Sequence, residues 1–197
     1  MTPPALYRYY AGRDQLLTEM IAEAYDDLAE TLARARASVP EDDLAAVWLA
    51  VATAYREWAR RDPQQFTLIL GLPVPGYVAP ECGPTSEAAD RAMSQLSWLF
   101  VEATRRGELR PPLLREVESH FAGVVAPCMQ DLAAESEPID LPAETFQAML
   151  HTWAALHGST CLEVYGHLDW LDAQCRDALF RSQVRLIARI AGLPEPR

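Results

Sequence analysis

Nowhere in the 197-residue chain does a run of about 18 uncharged apolar residues occur, so no segment reads as a membrane span. Nor does Met1 open the basic, apolar, small-residue order of a secretory leader. Both absences predict a cytoplasmic protein with no membrane partner. Cysteine is sparse: Cys82, Cys128, Cys161 and Cys175 lie far apart, form no C-x-x-C pair and read as reduced, mostly buried thiols. Strand-like alternation, internal repeats and low-complexity tracts are missing, which leaves little room for a β-fold or a solenoid. There is no P-loop and no G-x-S-x-G, so the usual signatures of phosphate-binding and serine-nucleophile enzymes are absent. Positive charge is in deficit, with 17 Lys+Arg against 28 Asp+Glu and a net charge of −11, which argues against a protein that coats nucleic acid. One small exception stands at the start, where residues 1–13 hold Arg8 and Arg13 and no acid.

What is abundant is helical periodicity. Half of the residues are hydrophobic, enough for a sizeable core. Residues 14–37 carry Leu16, Leu17, Met20, Ile21, Ala24, Leu28 and Leu32 on one stripe. A second helix is predicted over 41–61, with Leu44, Val47, Trp48, Val51, Tyr55 and Trp58 inside, and Pro63 opens a short third one through Leu70. "GLPVPGYVAPECGPT", residues 71–85, holds too many prolines and glycines for a helix and reads as a long ordered loop. Helices are predicted again over 86–106, capped by Gly107, and over 113–135, bent near Pro127. The fold class is all-α, with seven or eight helices in a bundle.

The two last helices differ in kind. Residues 144–168 carry only Glu144 and Glu163 as charges, with apolar or small residues on every face. A helix of that composition is surrounded by protein. Gly158 costs about 1 kcal/mol relative to alanine in a helix interior and invites another backbone to approach. The final helix, 172–191, has Leu179, Phe180, Val184, Ile187 and Ile190 on its apolar side and Arg181, Arg185 and Arg189 on the outer one. The pair suggests a homodimer in which each subunit gives two helices to a four-helix bundle. The expected interface is Gly158, Cys161, Leu162, Tyr165, Phe180, Val184 and Ile187; a central helix of a monomeric bundle is the alternative.

The opening segment, "TPPALYRYYAGRDQLL", reads locally as a very short helix, a turn and the start of a long helix. Thr2 can cap it, Pro3 and Pro4 sit where no amide hydrogen is needed, and Leu6 and Tyr10 form an apolar edge. This pattern resembles the recognition helix and following turn of the TetR family of bacterial transcriptional regulators. Farther on, Trp153, His157 and Gly158 in "WAALHG", with "LEVYG" after and "GLPVPGY" before, resemble a branch of that family whose effector domain has a Trp-His-Gly signature. The resemblance implies that Tyr7, Arg8 and Tyr9 face the DNA groove, with Thr2, Pro3 and Pro4 at the helix start and Arg13 gripping a phosphate. It divides the chain into a partial helix-turn-helix region with its connecting helix, 1–37 (recognition helix about 3–10), and an effector-binding and dimerisation domain, 38–197. In the family two helices precede the recognition helix, and they are absent from this sequence. Operator DNA is therefore expected as a partner only where those helices are present, because a helix of about eight residues does not persist alone.

Other clusters are weaker. His157 and Cys161 are four apart on one helix, and His120, Cys128 and His151 are further candidates, yet no acidic ligand completes a metal site, and no metal or cofactor is expected. Asp26, Asp27 and Glu30, like Glu41, Asp42 and Asp43, read as solvated faces rather than Mg²⁺ clusters. The aromatic and sulfur side chains mostly belong to a core, though such a core can leave an apolar cavity. The resemblance implies a small, mostly apolar effector there, with Trp48, Tyr55, Phe66, Met93, Phe100, His120, Phe121, Met149, Trp153 and His157 as candidate lining. The expected function is a dimeric ligand-responsive repressor and not an enzyme. A DNA-free effector-binding module is the alternative, and a small helical enzyme a more distant one.

Overall fold

A computed structural model describes residues 12–80, 82–125 and 141–196. The predicted recognition helix with Thr2, Pro3, Pro4, Tyr7, Arg8 and Tyr9, and the stretch around Pro127 and Cys128, lie outside the described residues. Six helices are complete: α1 (Arg13–Ala37), α2 (Leu44–Arg61), α3 (Pro63–Leu70), α4 (Pro84–Arg105), α5 (Ala143–Val164) and α6 (Ala173–Ala191). Residues 119–125 are also helical, and no strand occurs among the described residues.

Side-chain caps set the beginnings of α2, α3 and α6. α2 starts at Leu44 rather than at residue 41, because the Asp43 carboxylate accepts from the Ala46 amide at 2.9 Å while the Asp43 amide closes a turn onto Pro40. Asp62 caps α3 by accepting from the amides of both Gln64 and Gln65, with Pro63 at the first position. Gly107 stops α4 at φ 69°, where the left-handed backbone favours glycine.

The core is the predicted stripe of α2, with Val47, Trp48, Val51, Tyr55 and Trp58 buried against Leu28 and Leu32 of α1, Phe66 of α3 and Phe100 of α4. α6 closes it with Phe180, Val184 and Ile187, and the Trp48 indole N–H donates to the Val184 carbonyl at 2.9 Å. These three α6 residues are thus interior to a single chain and offer nothing to a partner, which corrects their assignment to the dimer interface. A monomer core of this size needs the apolar side of α6 for itself.

Residues 113–118 are not helical, although their spacing suggests it. The chain instead crosses the end of α6, where the amides of Arg110 and Leu113 donate to the carbonyls of Gly192 and Ile190, each at 2.8 Å. Gly192, at φ 81°, allows this crossing: a Cβ there would collide with the Arg110 carbonyl. These backbone bonds satisfy carbonyls at the end of α6 and outweigh the local helical pattern. Two thiols also depart from expectation, since Cys82 and Cys175 are exposed.

Candidate functional site

A cavity of about 560 Å³ opens between α4 and α5, with Trp48 of α2 in its wall. α4 contributes Asp90, Met93, Ser94, Leu96, Ser97 and Phe100, and α5 contributes Phe146, Met149, Leu150, Thr152, Trp153 and Leu156. Spacings of three and four place each set on one helix face. Of the lining expected from sequence, Trp48, Met93, Phe100, Met149 and Trp153 are brought together here. Leu96 and the small polar residues went unnoticed because a search for aromatic and sulfur types misses Leu, Ser, Asp and Thr on the same face, and Phe146 was passed over although its type would have admitted it. Thr152 Oγ1 and Trp153 Nε1 are buried in this wall with no hydrogen-bond partner among the described residues. Unpaired buried polar groups are rare in folded proteins and mark places where a ligand or water is due.

The remaining expected lining residues lie elsewhere. His120 is exposed and Phe121 half-buried on the segment 119–125, and neither lines the cavity. The crossing of residues 111–118 over α6 takes up the chain that a longer helix would have carried toward it. Tyr55, Phe66 and His157 form a layer beside the cavity instead. The Trp153 ring stacks on His157 with centroids 5.3 Å apart and planes 10° from parallel, and the Phe66 ring packs tilted against His157 with centroids 5.5 Å apart. Tyr55 hydroxyl and His157 Nδ1 are 3.0 Å apart, while Cys161 Sγ lies 3.3 Å from Nε2.

This row is neutral. Burial lowers the His157 pKa and raises that of Cys161, and burial followed by the Cys161 charge pushes the Tyr55 phenol far above its ordinary range. A neutral imidazole has one donor and one acceptor nitrogen, which matches a hydroxyl on one side and a thiol on the other. The arrangement fixes the rotamer of His157, and through stacking that of Trp153. It does not activate the thiol. Among the described residues no group of three or more His, Cys, Asp or Glu could hold a metal ion. As pH falls below the ordinary histidine value of about 6.5, the unfolded chain takes a proton that folded His157 resists. Stability should therefore fall with pH until the depressed folded value is passed, and His157→Gln should flatten that part of a urea-midpoint profile.

Two ionic systems tie the helices. Arg56, 4% exposed, gives Glu163 of α5 two hydrogen bonds at 2.6 and 2.7 Å, pairs with Asp177 of α6 at 2.9 Å and lies over the Phe180 ring at 4.6 Å. This is the charged centre of α2, α5 and α6, and the apolar stripe of α2 hid it. The acidic pair read as a solvated face also braces the helices: Asp26, exposed, pairs with Arg91 of α4 at 2.8 Å, and Asp27 accepts from the Trp58 indole at 2.7 Å and from Arg61 at 3.0 Å. α1 packs most extensively on α4, the helix that walls the cavity.

Near the start of α1, both terminal nitrogens of Arg13 donate to the Pro75 carbonyl at 3.4 and 3.3 Å. Thr18 and Tyr77 hydroxyls meet at 3.0 Å, and Tyr25 donates to the Ile69 carbonyl at 3.0 Å. The proline-rich loop thus grips the end of α1 that leads to the predicted DNA-reading segment.

On α5 the polar pattern is inverted. Its buried line is Thr145, Ala148, Thr152, Leu156 and Thr160, while Leu150, Ala154, Gly158 and Leu162 are exposed at four-residue intervals. Of the expected dimer residues on α5, Gly158 and Leu162 face outward. Cys161 turns in toward His157, and Tyr165, just past the helix, packs against Phe66 while staying partly exposed. Leu179 and Leu186 are exposed on the neighbouring α6.

Comparison with known proteins agrees with this architecture. Residues 48–187 match the family described as tetracyclin repressor-like, C-terminal domain. The chain is 30% identical over 192 residues to the HTH-type transcriptional regulators Rv1816 of Mycobacterium tuberculosis and Mb1846 of Mycobacterium bovis, covering 96% of this chain and 78% of each relative. The crystal structure of SCO4313 aligns with a TM-score of 0.64 and 31% identity over 95% of this chain and 79% of that one. A structure from Rhodococcus sp. RHA1, 18% identical with a TM-score of 0.63 over 94% and 78% of the two chains, shares the fold. No helix among the described residues is long and apolar enough to cross a membrane. An all-helical body, a family match over most of its length and regulator relatives along nearly all of it lead to one conclusion: the chain belongs to the tetracyclin repressor-like family, whose members are transcriptional regulators and not enzymes.

Proposed function

We propose that the protein is a ligand-responsive repressor that binds operator DNA as a dimer and releases it when a small, largely apolar effector fills the cavity between α4 and α5. The observation that carries this reading is the double role of α4, which walls the cavity on one side and supports α1 on the other. A ligand that favours a different spacing of α4 and α5 biases the position of α1, and with it the segment 1–11. In a dimer two such segments meet successive major grooves about 34 Å apart, so a small change in their separation is felt as affinity. The coupling is reciprocal: operator DNA must weaken the effector by the same factor. Trp153, His157 and Gly158, the residues of the Trp-His-Gly resemblance, serve this scheme as cavity wall, support for that wall and outward contact. On DNA, Arg13 exchanges the Pro75 carbonyl for a phosphate.

The dimer is formed by the outward line of α5 with Leu179 and Leu186 of α6, in place of the buried residues of α6. Four apolar or small residues facing water on a helix whose inner face carries threonines make sense as one half of a two-fold interface. The test of function is fluorescence anisotropy with the protein's own upstream DNA, at about 0.15 M salt. The chain and a version carrying the reading frame upstream of Met1 are titrated side by side. The extended version should prefer that DNA over scrambled sequence by at least tenfold. Equal affinity for both DNAs contradicts the reading.

A further inference from the structure

The walls of the cavity have a chemical bias beyond being apolar. Trp48, Phe100, Phe146 and Trp153 supply aromatic rings, whose faces carry partial negative charge, and Met93 and Met149 add polarisable sulfur. Among the described residues Asp90 is the one charged residue in the lining, and no arginine or lysine accompanies it. Its carboxylate is exposed and takes part in no hydrogen bond or ion pair among the described residues. The adjacent cation, Arg91, is committed to Asp26 at 2.8 Å.

Each ligand class meets this site differently. A carboxylate or phosphate ligand would lose hydration and gain no counterion. A neutral ligand would use the walls and leave Asp90 idle. An organic cation uses both, since its charge is held by ring faces and by the carboxylate at the rim. We infer that the cavity takes a lipophilic organic cation, its body between α4 and α5 and its positive charge toward Asp90. The inference rests on the reading of the cavity as the effector site and adds the class of effector.

The test uses two ions of the same tetrahedral four-phenyl shape and opposite charge, tetraphenylphosphonium and tetraphenylborate. Binding is read from the fluorescence of the wall tryptophans, with neutral N-phenyl-1-naphthylamine as a third probe. Tetraphenylphosphonium should bind at least tenfold tighter than tetraphenylborate. Asp90→Asn should cut that preference about fivefold or more, and its helical signal should match the parent because Asp90 supports no other side chain. Glu23→Gln, which removes an exposed charge from α1 and alters net charge equally, should leave the preference intact. Equal binding of the two ions, preference for the borate, failure of both ions while the naphthylamine binds, or an unchanged preference in Asp90→Asn overturns the cation assignment and leaves the cavity reading standing. If none of the three probes binds, the cavity reading fails as well.

Discussion

Gly158→Leu should turn the protein into a folded monomer. In one chain Gly158 is exposed, and a Cβ built on it meets none of the described residues within 4 Å. Within the subunit the glycine therefore only costs, by about 1 kcal/mol relative to alanine in a helix interior. Leucine there should raise the intrinsic stability of α5. In the proposed dimer the glycine makes room for a partner helix that comes closer than a side chain permits. Its neighbours on the line, Ala154 and Leu162, the latter 47% exposed, fit the same contact. A leucine at the centre of a close helix crossing has no room to relax, and overpacking of this kind costs about 1–3 kcal/mol at each site. Two-fold symmetry applies that cost twice, so dimer dissociation should strengthen by about two to four powers of ten. Light scattering at micromolar concentration should report half the parent mass with undiminished helical circular dichroism. A dimer of unchanged mass and stability would place the interface elsewhere.

Arg56→Met should be the most damaging single change to the subunit. It leaves Glu163, whose side chain is 10% exposed, without its bidentate partner, and also strips Asp177 and the Phe180 ring of a neighbour. Removing one member of a buried pair costs about 3–5 kcal/mol, because the other charge stays buried. Arg60 at 3.4 Å and Arg176 at 3.9 Å also reach Glu163 and soften the loss, which places the expected value near the lower end of that range. The double change Arg56→Met with Glu163→Gln should recover a large part of it, since the stranded charge is gone. Urea midpoints at one fixed protein concentration measure both, as dimerisation makes stability concentration-dependent. A single variant within 1 kcal/mol of the parent would show the network to be ornamental. Asp177 adds a sign. Its hydrogen bond from Arg56 holds its carboxyl below the usual range, so that contribution is present above pH about 4 and is lost as pH falls through the lowered value. In the Arg56→Met protein that acid sensitivity should weaken.

How far the sequence spoke depended on whether one face of an element differed from the other. α2 was legible almost to the residue because its apolar stripe stands against charged neighbours, and α3 and the end of α4 because Pro63 and Gly107 admit few backbone conformations. α5 gave its existence but not its orientation. With apolar or small residues all round, nothing in the pattern told Thr152 and Thr160, which are buried, from Ala154 and Leu162, which are not. The same uncertainty sent Phe180, Val184 and Ile187 to an interface when the subunit's own core required them. Residues 113–118 were misread because hydrogen bonds to Gly192 and Ile190, about eighty positions away, are invisible to local periodicity. At the cavity, Trp48, Met93, Phe100, Met149 and Trp153 were found by type, while Asp90, Ser94, Ser97, Phe146 and Thr152 enter only once α4 and α5 are seen face to face. Arg56 escaped for a related reason: a lone arginine in a helix reads as exposed until three acidic and aromatic partners converge on it.

In the proposed repressor α4 links the cavity to α1, so that what fills the one moves the other. The direct measurement is operator affinity of the DNA-binding form, titrated with and without a probe that the wall tryptophans show to saturate the cavity. The account predicts at least a fivefold weaker operator complex with the cavity filled, matched by an equal loss of probe affinity when operator is present. Operator affinity unchanged at full occupancy would contradict it.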